Sequence, residues 1–215
     1  MMLLPLIAII IIASNFASKF IRKHAKIIYC IFIGLSILAY IFRPIPVALP
    51  FNKGFLGLAF FYVVMIVGVL NKKKGLYKRL YSVRAELSIL GFIVLSPHAI
   101  FFFIDKYIPI VQLGLIELLG FAAFVIMIPL FVTSFKWLRK KFAFYSWKQI
   151  QNFAYIVYVI IFVHLLLAAS LPINRVLYIV LFVPYLIYKP FFYIKYEKKF
   201  YNKVKESHFK KGEQA

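Results

Sequence analysis

The stretch LSILGFIVLSPHAIFFFI, Leu87 to Ile104, holds 18 residues without one charged side chain. A run so long and apolar reads as a membrane-spanning helix, because at about 1.5 Å per residue it covers most of a ~30 Å hydrocarbon layer. His98 interrupts its character. A second run, FAYIVYVIIFVHLLLAAS, Phe153 to Ser170, is equally free of charge and contains His164. Each histidine lies 11 residues past the start of its run, counted from the side of a basic loop. Both imidazoles therefore sit roughly 16 Å into the layer. A polar ring at that depth is costly without a partner and marks a functional site by default. Two at one depth suggest a shared partner, and a haem iron held between them fits best.

Working outward, five more hydrophobic runs follow the same pattern: Leu3–Ala17, Ile27–Phe42, Phe55–Leu70, Leu119–Phe135 and Val176–Phe192. Apolar residues make up 64% of the chain and charged residues 15%. That composition excludes an ordinary soluble domain and predicts an all-α membrane protein, a bundle of six to seven transmembrane helices. Several runs fall short of the ~20 residues of a standard span, which snorkelling Lys, Arg and Tyr can extend. The single cysteine, Cys30, excludes an internal disulfide and a Cys-ligated cluster.

The net charge of +21 would suggest nucleic acid in a soluble protein. Here the cations fall between hydrophobic runs, so they report topology and contact with anionic headgroups. Lys19–Lys26, Lys72–Arg84, Lys136–Lys148 and the C-terminal tail are basic, whereas the alternate connections are not. The positive-inside rule then places the N-terminus outside, the C-terminus in the cytoplasm and the chain in the plasma membrane. Both histidines would lie in the outer half. The segment Ile108 to Ile116 is expected to form a short external or re-entrant helix, and Lys203 to Ala215 a solvated tail. The first run, residues 1–18, is expected to stay as an uncleaved transmembrane segment or anchor, because no basic residue precedes it and four follow it.

Among the other polar residues, His24 and His208 read as ordinary surface side chains. Pro97 lacks an N–H and should free a carbonyl one turn earlier, beside His98. Arg84 is a candidate contact for a haem propionate or a phosphate. Trp147 reads as an interfacial anchor, and Thr133 and Ser134 as helix-bridging hydroxyls. Asp105, Glu86 and Glu117 are scattered near span ends and form no paired-carboxylate or metal box. No G-x-G-x-x-G occurs, so a nicotinamide or flavin domain is expected on a separate protein. The Lys-rich loops could dock an acidic donor, although topology already accounts for them.

Ser146-Trp147-Lys148-Gln149-Ile150-Gln151-Asn152-Phe153-Ala154-Tyr155-Ile156-Val157, followed by His164, resembles the W-x-x-L-H-N/R-hydrophobic-x-Y-L…H signature of ferric-reductase-like transmembrane domains. Leu130-Phe131-Val132-Thr133-Ser134 is similar to L-A-x-T-S of the YedZ/MsrQ branch, the haem-binding membrane subunits of methionine sulfoxide reductase systems. Arg84 followed by His98 resembles its R-R-x-x-G…H. The resemblance covers residues 24–195, with a basic cytoplasmic tail, 196–215, beyond it. It implies haem b bound by axial His98 and His164, and FMN or a quinol as a further carrier. Gln151 stands where the family usually has a histidine, Ala85 replaces the second Arg and Ser88 the Gly. Two-haem relatives carry paired histidines 13 or 14 residues apart on each helix. Thirteen residues before His164 and His98 stand Gln151 and Ala85, so the sequence supports one outer haem and gives no evidence for an inner one.

The sequence thus leads to a b-type haem subunit that passes electrons across the membrane to an extracytoplasmic redox partner, an oxidoreductase component. The alternative is a haem-free scaffold or small transporter that keeps the bundle without redox activity. The altered residues 85 and 151 favour this second reading, and the scarcity of intramembrane polar groups weighs against transport.

Overall fold

The hydrophobic runs become helices and the basic stretches become their ends. The computed structural model describes residues 2–103 and 114–192, and all regular structure among them is helical. In chain order the helices are α1 (Leu3–Lys23), α2 (Ala25–Ile41), the single turn α3 (Leu49–Asn52), α4 (Phe55–Ile66), α5 (Gly75–Ser82), α6 (Arg84–Phe102), α7 (Leu115–Val132), the single turn α8 (Lys136–Arg139), α9 (Phe144–Ala168) and α10 (Pro172–Phe192). The anticipated element at 108–116 falls mainly outside the described residues, and the tail and His208 lie wholly outside them.

Four helices, α1, α6, α7 and α9, are long and apolar enough to cross a membrane. Two further pieces, Pro46–Asn52 and Phe55–Val69, are apolar enough together but bent by 48° at the break, the form of a broken span or a re-entrant loop. The chain is a multi-pass membrane protein. A count of six or seven further requires α10 and the 17-residue α2 to cross. Large apolar side chains cover the outside: Phe16 is 79% exposed and Ile187 70%. In water such a surface would drive aggregation, whereas lipid chains solvate it.

The packing has α4 at its centre, where Ala59 and Val63 are completely buried, as is Val67 just past its end. α4 lies against α1 and α6, and α7 against α9. A methyl group on Gly57 would fall 2.7 Å from Leu95 Cβ, so the missing side chain is what lets α4 and α6 approach. Phe92 of α6 stacks on Phe124 and Phe131 of α7, with ring centroids 5.1 and 4.3 Å apart, and joins the two helix pairs. α10 is tied on by tyrosine hydroxyls: Tyr62 donates to the Leu181 carbonyl and Tyr158 to the Phe182 carbonyl, both at 3.3 Å.

α6 continues through Pro97. Proline cannot donate to the carbonyl four residues earlier, Ile93, and in a dry interior that acceptor needs another donor. Ser36 of α2 supplies it, with Oγ 3.2 Å from the Ile93 oxygen. α6 and α9 both start at basic stretches and run the same way, while α7 returns between them. The bundle therefore has a basic end and a histidine end.

Candidate functional site

His98 and His164 occupy equivalent places. Each is four residues before the last residue of its helix, and each is half-buried. His98 Nδ1 is 2.9 Å from the Asn52 carbonyl oxygen, at the corner between α3 and α4. His164 Nδ1 is 2.8 Å from the Ile116 carbonyl oxygen, in the first turn of α7. A carbonyl can only accept, so in both rings Nδ1 carries the proton and Nε2 the lone pair. Neither Nε2 has a hydrogen-bond partner among the described residues.

A glycine faces each ring. Gly54 has φ +71, in the left-handed region, and a Cβ there would come 3.1 Å from His98 Cδ2. A Cβ on Gly120 would come 3.1 Å from His164 Cε1. The same device is thus used twice: a backbone carbonyl orients the ring and a missing side chain makes room for it. This is the arrangement that metal-ligating histidines adopt, one nitrogen held by a second group and the other left for the metal. The donor set suits a haem iron, which needs two protein ligands. No group of three or more His, Cys, Asp or Glu that could hold a bare metal ion occurs among the described residues.

The other two sequence candidates do not join the histidines. Arg84 opens α6, fourteen residues or about 21 Å of helix before His98. It lines a cavity of about 430 Å³ at the basic end, with Gln151, Ala85 and Ser88; neither histidine lines it. Gln151 Nε2 donates to Thr133 Oγ1 at 2.9 Å and to the Leu130 carbonyl at 3.4 Å. Thr133 itself donates to the Pro129 carbonyl at 2.7 Å, and Ser134 to the Leu130 carbonyl at 2.7 Å. The Trp147 indole donates to the Thr133 carbonyl at 3.1 Å, and Arg139 lies over its ring. These bonds lock the start of α9 to the end of α7.

Two features were missed from sequence. Glu86, only 2% exposed, pairs with Lys136 at 2.6 Å and joins α6 to α8. Spacing could not reveal a pair separated by fifty residues. The carbonyls of Asn52 and Ile116 were equally invisible, because any residue type supplies one; the glycines at 54 and 120 were the only local signal.

An all-helical membrane bundle with two half-buried histidines at one end defines the class: a multi-pass membrane domain. The chain belongs to the ferric reductase like transmembrane component family, whose model matches residues 53–162, just over half of the chain. Arg84, His98 and Gln151 fall within the matched segment, and His164 stands two residues beyond it. No curated protein and no solved structure matches the chain significantly. Family membership makes it a membrane redox, electron-transfer component.

Proposed function

We propose that this chain is a one-haem electron carrier, with haem b ligated by His98 Nε2 and His164 Nε2. The observation that carries this reading is the pair of Nδ1–carbonyl bonds, which leaves an uncommitted lone pair on each of two rings at equivalent places in their helices. A haem held by these two imidazoles would supply one-electron redox chemistry. The protein's part is to hold both imidazoles in one tautomer, to seat them against Gly54 and Gly120, and to exclude water with the surrounding helices. Family resemblance suggests that electrons arrive from a separate flavoprotein, FMN or a quinol at the basic, cytoplasmic side of the plasma membrane. They leave to an extracytoplasmic redox partner, a reductase.

The test is haem content after purification in detergent, by pyridine haemochrome, for His98→Ala and His164→Ala. Each variant should lose haem, and with it the Soret band. Wild-type loading in both variants would reject the ligand assignment. A haem-free wild-type protein would support the scaffold reading, which Gln151 and Ala85 favour.

A further inference from the structure

We infer that the cavity at the basic end is a lipid site, built for an anionic phosphodiester whose headgroup carries hydroxyl groups. Its volume of about 430 Å³ falls within the ~300–1,000 Å³ usual for small-molecule pockets. Its lining is divided by chemistry. Arg22, Arg84 and Arg139 supply guanidinium groups, the donors best matched to phosphate oxygens. Arg22 and Arg84 have no hydrogen-bond or ion-pair partner among the described residues. Phe61, Met65, Phe92, Met127 and Phe131 line it as well, and they suit acyl carbons rather than a free inorganic ion.

A second observation selects the headgroup. Glu86 also lines the cavity, and although its side chain is 98% buried, only Oε1 is engaged, by Lys136. Glu86 Oε2 is buried with no partner. A buried carboxylate oxygen without a donor is costly, and a hydroxyl-bearing ligand would satisfy it. Arginines for the phosphate, an orphan acceptor for a hydroxyl and apolar walls for the chains describe one molecule, of the phosphoglycerol type. An iron porphyrin is a poorer match, since neither Gln151 nor Ala85 offers an imidazole. This site is independent of the haem reading, and its test does not use haem.

The full-length protein is exchanged into vesicles of phosphatidylcholine containing equal amounts of phosphatidylglycerol and phosphatidylmethanol, a phosphodiester without a hydroxyl. It is then extracted and examined by native mass spectrometry. We expect one phosphatidylglycerol retained per chain, in roughly tenfold or greater preference to phosphatidylmethanol, as a charge-assisted hydrogen bond would give. Arg84→Gln should weaken retention by about tenfold, and Arg22→Gln by a similar factor. Equal retention of the two anionic lipids overturns the role of Glu86, and this arm uses the unaltered chain. Retention unaffected by both arginine variants, or displacement of the lipid by inorganic phosphate alone, overturns the site.

Discussion

The two glycines beside the histidines carry more of the site than their size suggests. Alanine at 120 would put a methyl carbon 3.1 Å from His164 Cε1 and 3.4 Å from Nδ1. The ring must shift by a few tenths of an ångström, against a bond to a helix carbonyl that cannot follow. Gly120→Ala should therefore weaken haem retention by roughly tenfold, the lower end of what loss of an orienting contact costs a metal site. Haem-to-protein ratio on dilution measures it, and an unchanged ratio would show that the ring is not held there. Gly54→Ala adds backbone strain to the same steric problem. A side chain at φ +71 costs about 1–2 kcal/mol, so this variant should also melt earlier, with thermal unfolding in detergent as the readout. At this scale the sequence singled out the two histidines and was silent about the groups that orient them. Histidine stands out in a hydrophobic run, whereas a carbonyl that orients it belongs to no residue type.

Between elements, the bond from Ser36 to the Ile93 carbonyl shows how a proline is tolerated in a span. Pro97 alone indicates that an acceptor is freed one turn earlier. It cannot indicate the donor, which comes from a helix 57 residues away in sequence. Ser36→Ala should cost about 0.6 kcal/mol, the usual scale of such bonds in membranes. In a Pro97→Ala background residue 97 regains its N–H, and the serine should then matter much less. A double-mutant cycle of thermal stability checks this, and equal costs in both backgrounds would contradict it. The Gln151 bonds to Thr133 and Leu130 carry a related lesson. Gln151, read from the motif resemblance as standing at a histidine position, is here a clamp between α7 and α9. The motif resemblance could not reveal that use, because the partners lie 18 and 21 residues away on another helix.

For the whole molecule, the helical class followed from 64% apolar composition, and the alternation of basic and non-basic connections predicts an orientation. The number of crossings was less legible. The bend at Lys53 and Gly54 and the short α2 depend on packing, which hydropathy does not report. The 430 Å³ cavity was invisible for the same reason, since it is set by which side chains fail to meet. The orientation makes its own prediction. In a Cys30→Ser background, a membrane-impermeant thiol reagent should label Arg43→Cys on intact cells and spare Lys73→Cys, and the reverse pattern would invert the electron path. The account as a whole rests on two imidazoles sharing one iron at one level of the bundle, and the electron paramagnetic resonance spectrum of the oxidised wild-type protein tests that most directly. One low-spin ferric signal, typical of two nitrogen ligands and integrating to one haem per chain, is the predicted result. A high-spin signal, two distinct haems, or no haem signal at all would contradict it.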